Sequence, residues 1–159
     1  MRLKKIIKQL EGKFPLELAE EWDNVGLLLD STRREIKSIM LCLDITRDVV
    51  DKAVANKVDL IISHHPFIFS PLKKITTDEV NGEKILKLAR NNIAVYSMHT
   101  NIDSGIGGLN DFIIKKIGQE GKVFAISDNR SIELRKLVTS DLIDAKDKNG
   151  TRKKLQVSD

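Results

Sequence analysis

Short apolar runs alternate with stretches of helical period along most of this chain, and polar clusters follow where the apolar runs stop. Leu3, Ile6, Ile7 and Leu10 share one face of a helix over residues 3 to 11, which Gly12 and Pro15 end. Leu16 to Trp22 predicts a second short helix, and Val25 to Leu29 a strand. Ile36 to Leu43 predicts another strand, too apolar to be exposed. Thr46 is the expected N-cap of a helix from Val49 to Lys57. Leu60 to Ser63 and Ile93 to Met98 predict short buried strands, with a proline-containing loop and a helix, Glu83 to Asn91, between them. Gly105 to Gly108 makes a turn into a helix from Leu109 to Ile117, Lys122 to Ile126 predicts one more strand, and Ile132 to Val138 has a helical pattern.

Strands alternating with helices predict an α/β fold, a layered sheet flanked by helices. Residues 1–126 make up the expected core. Residues 127–159 are polar and mixed in charge, and read as a flexible C-terminal segment.

In such folds ligands gather beyond the carboxyl ends of the strands. Asp44, His64-His65 and the cluster His99-Thr100-Asn101-Ile102-Asp103 each follow a predicted strand, so three segments are expected to converge on one sheet edge. The chain has only 3 histidines, and all lie in these clusters. Imidazole and carboxylate suit zinc, iron, manganese or cobalt. Neighbouring residues of a regular strand point to opposite faces. His64 and His65 can therefore serve one metal only if the strand ends at Ser63 and Pro66 redirects the chain; otherwise they serve two metals, with Asp103 between. The plainer alternative has His64 and His65 capping a loop and His99 as a hydrogen-bonded core residue. Asp44 reads as a turn or cap residue, Trp22 as a core tryptophan beside a turn at Asp23-Asn24, and Gly105 to Gly108 as a turn without the lysine of a phosphate loop. Lys73-Lys74 reads as a solvated face that a neighbouring site could use to hold an anion.

The bulk numbers narrow the classes. The chain has 159 residues with 41% hydrophobic and 31% charged, as in one ordinary globular domain. The single cysteine, Cys42, lies in an apolar run and is expected to be buried; one cysteine permits no internal disulfide and fits a reducing, cytoplasmic setting. A net charge of +4 without a basic stripe, and 4% aromatic residues, place nucleic-acid binding last. No apolar run is long enough for a bilayer, so no membrane partner is expected.

Four segments occur in order: Trp22-Asp23-Asn24-Val25-Gly26-Leu27, Ser63-His64-His65-Pro66-Phe67-Ile68-Phe69, Met98-His99-Thr100-Asn101-Ile102-Asp103 and Gly107-Gly108-Leu109-Asn110-Asp111. Together they resemble the YbgI-like dinuclear-metal proteins, also called the NGG-interacting-factor-three-like family and the GTP cyclohydrolase 1 type 2 homologues. The resemblance covers residues 1 to about 120. It implies a dinuclear metal centre in an α/β fold, and a ring-shaped homohexamer with its sites facing an internal cavity. It implies that His64 and His65 each ligate one metal, that Asp103 bridges them, and that His99 lies beside the site and orients a ligand. It also implies a metal-dependent hydrolase acting on a nucleotide or another phosphorylated small molecule, with no catalytic residue assigned. The family closes its site with a histidine and a glutamate four residues apart near the C-terminus, whereas no histidine follows His99 here. The chain therefore reads as the N-terminal part of such a protein, with an incomplete family fold. Two consequences are expected: self-association, to cover sheet surface left open, and, as the alternative to a hydrolase, a non-catalytic scaffold or regulatory binding protein with an incomplete metal centre.

Overall fold

The computed structural model describes residues 1–33 and 35–117 and, beyond them, the backbone of four strands. The chain divides into two compact units, Met1–Asn101 and Ile102–Asp159.

The first unit runs α1 (Leu3–Lys13), β1 (Gly26–Leu29), β2 (Ile39–Cys42), α2 (Arg47–Ala55), β3 (Leu60–Ser63), α3 (Val80–Arg90) and β4 (Ala94–Ser97). It is a four-stranded sheet of order β1-β4-β3-β2, flanked by helices. β2, β3 and β4 are parallel and in register, so Cys42, Ser63 and Ser97 stand level at their carboxyl ends. β1 runs antiparallel to β4, with Gly26 opposite Ser97. Its entry therefore lies at the edge where the other three strands leave. At the opposite end, the buried Asp59 carboxylate fixes the start of β2 against β3. It accepts from the backbone N–H groups of Lys37 at 2.7 Å and Ser38 at 3.0 Å, and pairs with Arg33 at 3.0 Å.

The core follows from side-chain alternation in the strands. Ile61 and Val95 face Val50 and Ala53 of α2 and Ile85 and Leu88 of α3. Thr46 caps α2 as expected, its hydroxyl oxygen accepting from the Val49 N–H. Tyr96 points to the other face and donates to Glu11 of α1; burial, with Glu11 beside it, pushes its phenol well above the usual range. Gly82 lets α3 approach the preceding loop, since a Cβ there would stand 2.1 Å from the Thr76 carbonyl oxygen.

In the first unit two expectations need correction. β2 alternates exposed and half-buried positions: Met40 and Cys42 pack on the core, while Ile39 and Leu41 face out, Leu41 at 75% exposure. Met40 and Cys42 pack on the cluster that α2 and α3 share, and the other face of β2 is left open. The segment Leu16 to Trp22 makes only a 3₁₀ turn over Leu16–Leu18. The Glu20 N–H that would continue a helix donates instead to the Thr100 hydroxyl at 3.0 Å.

The second unit holds α5 (Leu109–Ile117), entered from the short helix α4 (Thr100–Asp103) that begins in the first unit, and two antiparallel pairs, β5 (Phe124–Ser127) with β6 (Arg130–Glu133) and β7 (Leu142–Lys146) with β8 (Arg152–Gln156). Gly107 takes φ +66° and its N–H donates to Asp111 at 2.6 Å, which turns the chain into α5. Arg130–Glu133 is a strand where a helix from Ile132 was expected; the remainder of that expected helix, residues 134–138, lies outside the described residues. The expected flexible segment, residues 127–159, contains β7 and β8, and the rest of it beyond β6 lies outside the described residues.

The correction at β2 sets a contrast. Leu88→Ala, at a fully buried site, should cost about 2–5 kcal/mol, whereas Leu41→Ala should stay within about 0.5 kcal/mol. Urea unfolding of the two variants beside the parent chain reads both.

Candidate metal centre

The level strand ends place the polar clusters together. Asp44 lies two residues beyond β2, His64 and His65 directly follow β3, and His99 lies two residues beyond β4. Backbone bonds extend the ladder past the strands: the N–H groups of His64 and His65 donate to Cys42 and Leu43, and that of Met98 to Ser63. Beneath them two buried serines tie β3 to β4. The Ser63 hydroxyl donates to the His65 carbonyl oxygen at 2.9 Å, so the proton between it and the Ser97 hydroxyl, 2.8 Å away, comes from Ser97.

The three imidazoles converge. Ring centroids are 5.1 Å apart for His64 and His65, 5.1 Å for His64 and His99, and 5.6 Å for His65 and His99. One potential ligand atom from each lies within 4.8 Å of the others. Each ring is also held from behind through Nδ1: His64 by the Met98 carbonyl oxygen at 3.0 Å, His65 by Asp44 at 2.7 Å and His99 by Asp23 at 3.0 Å. All three partners are acceptors, so Nδ1 carries the proton and Nε2 is the ligand atom of the neutral ring. Neutral imidazoles fixed in this tautomer fit a divalent metal ion.

Asp23 is the residue that the sequence reading missed. In the sequence it reads as part of a turn, yet its side chain is fully buried and accepts from the Thr100 N–H at 3.0 Å, the Thr100 hydroxyl, the Asn24 N–H at 2.8 Å and His99. Burial alone would raise its pKa. The bonds from Thr100, His99 and Asn24 outweigh that and hold the carboxyl below the usual carboxylate range. Only the fold reveals it: β1 runs antiparallel to β4, which brings the residues leading into β1 to the edge where β4 ends. Asp44 is likewise more than a turn residue, since its carboxylate orients His65.

Trp22 is half exposed rather than a core residue, because it packs edge-on against the rings of His99 and Phe69, each 6.1 Å away, at the mouth of the cluster. Asn101 is fully buried, accepting from the His99 N–H and donating to the Phe14 carbonyl oxygen. Cys42 is half-buried against the core, and burial, with Asp44 nearby, pushes its thiol up. Lys73 and Lys74 are exposed, and Lys74 pairs with Glu79 at 3.2 Å. Asp103 belongs to the second unit, where its backbone carbonyl oxygen accepts from the Asn110 side chain at 3.0 Å. Among the described residues no helix is long and apolar enough to cross a membrane.

The chain matches the family model Duf34/NIF3 (NGG1p interacting factor 3) over residues 1–157. It is 37% identical over 133 residues to the "GTP cyclohydrolase 1 type 2 homolog" of Clostridium acetobutylicum, a match covering 84% of this chain and 50% of that protein. Its fold superposes with a TM-score of 0.73 on a Bacillus cereus protein related to NIF3, at 35% identity, covering 83% of this chain and 36% of the other. Reduced HcgD from Methanocaldococcus jannaschii gives a TM-score of 0.72 at 33% identity, covering 84% and 54% respectively. The chain thus spans about half the length of the Clostridium relative, and it belongs to the Duf34/NIF3 family.

Asp23 gives a prediction with a sign. Its folded pKa lies below that of an ordinary aspartate, so its contribution is fully present above the unfolded pKa and is lost as pH falls through the folded pKa. Asp23→Asn sets an amide N–H₂ against donors that need an acceptor. It should cost about 1–3 kcal/mol at neutral pH, and the difference from the parent should shrink in acid. Denaturant unfolding at pH 7 and pH 3 tests both statements.

Proposed function

We propose that this Duf34/NIF3 member is a cytoplasmic metal-binding protein that holds one or two divalent ions, zinc, iron, manganese or cobalt, at His64, His65 and Asp103, and hydrolyses a nucleotide or another phosphorylated small molecule. His99 stands beside the ligands and is oriented by Asp23. The observation that carries this reading is the convergence of three imidazoles, each anchored through Nδ1. The name of the Clostridium relative supports a nucleotide as the substrate class. A divalent ion bound there would supply Lewis-acid activation of water and of a phosphoryl oxygen. The chain's own part is to fix the rings: Asp44 and Asp23 hold the His65 and His99 imidazoles in orientation and tautomer through Nδ1, as carboxylates behind metal-site histidines do. In this reading the protein self-associates, with the homohexamer as the family-type assembly.

Elemental analysis of untagged protein purified without chelator should find about one to two metal ions per chain. His64→Ala and His65→Ala should lose the metal and any metal-stimulated turnover of a nucleotide panel, whereas His99→Ala should weaken metal affinity by about 10–100-fold. A correctly folded, metal-free parent chain, or turnover unchanged in His65→Ala, would favour the non-catalytic scaffold instead. Light scattering across a concentration series should give an assembly larger than the monomer; a monodisperse monomer would refute self-association.

A further inference from the structure

A cleft of about 560 Å³ opens beside the imidazole cluster, with His65 and Asp44 among its lining residues. Its volume is that of a small-molecule site. Phe67 and Phe69 give it apolar surface, and Thr46, Asn81 and Lys84 give it polar groups. Phe69 is 53% exposed, so a large aromatic face is presented to whatever enters.

Lys84 is the unusual member. Its ammonium has three donors, yet its partners are neutral: the Ile45 carbonyl oxygen at 2.7 Å and the Phe67 ring, whose centroid is 5.3 Å away. The nearby Arg47 guanidinium is engaged with Glu83 at 2.8 Å. Burial, together with the Arg47 charge, lowers the Lys84 pKa, and Asp44 acts the other way. A cation held in partial desolvation without a direct counter-charge is stabilised by an incoming anion. The exposed Lys73 and Lys74, to which the sequence had pointed, are not among the lining residues.

We propose that this cleft is the substrate pocket of the metal centre and that Lys84 binds the phosphate of a phosphorylated small molecule whose ring or apolar portion lies on Phe69. The inference rests on the metal-centre reading for the chemistry but not for the binding of the anion. The test is isothermal titration of GMP and of guanosine into the zinc-loaded full chain. Lys84→Gln should weaken GMP binding about tenfold or more while leaving guanosine affinity and zinc stoichiometry unchanged, and Lys84→Arg should recover most of the GMP affinity. Phe69→Ala, at an exposed side chain, should weaken both ligands alike. GMP affinity that is absent in the parent chain, or equal in Lys84→Gln, overturns the pocket. A parent chain that takes up no zinc but still binds GMP through Lys84 supports the pocket and counts against the metal centre alone.

Discussion

The in-register parallel pairing of β2, β3 and β4 is the constraint on which the candidate site depends. It sets Cys42, Ser63 and Ser97 level, and the chain leaves the sheet there toward Asp44, His64, His65 and His99 and enters it from Asp23. A slip of one residue would turn each strand's side chains to the other face and part His64 and His65 from His99. Register is held at both ends. Asp59 pins the start of β2 to β3 through the Lys37 and Ser38 amides. At the other end the Ser63 and Ser97 hydroxyls join β3 to β4 directly under the imidazoles.

With the strand ends fixed, acceptors behind the rings set what the cluster can do. A carbonyl oxygen and two carboxylates take the three Nδ1 protons and leave Nε2 as the ligand atom of each neutral ring. The two carboxylates work under different conditions. Asp23 is sealed in, with its oxygens engaged by Thr100, Asn24 and His99, so its charge is satisfied by hydrogen bonds and fixed in place. Asp44 is more than half exposed and sits where the cluster meets the cleft, with Lys84 along the same wall. Metal-type donors and an underpaired cation thus share one opening, the combination that a phosphorylated ligand requires.

Much of this was legible in the sequence. The histidines could be read because polar clusters follow buried strands, and because helices alternating with strands dictate a sheet with one ligand-bearing edge. What escaped were properties set by tertiary neighbours. Ile39 and Leu41 look like core residues, but apolar composition does not say which strand ends up at an edge with a single helical layer. Leu16 to Trp22 has a helical pattern, yet the Glu20 N–H is taken by Thr100, some eighty positions away in the chain. Asp23 looks like a turn residue until the antiparallel pairing of β1 with β4 brings it beneath His99. Lys84 is one of many helix lysines, and only the fold sets it against Ile45 and Phe67.

The central claim, that the fold presets His64 and His65 for metal through Nε2 and holds His99 beside them in the same tautomer, can be read atom by atom, because the chain has only 3 histidines. Long-range proton–nitrogen NMR at pH 8, before and after zinc, is the most direct measurement. The account predicts the Nδ1–H tautomer for all three rings before zinc, and a large Nε2 shift at His64 and His65 once zinc is added. Nε2–H tautomers, or Nε2 resonances of His64 and His65 indifferent to zinc, would contradict it.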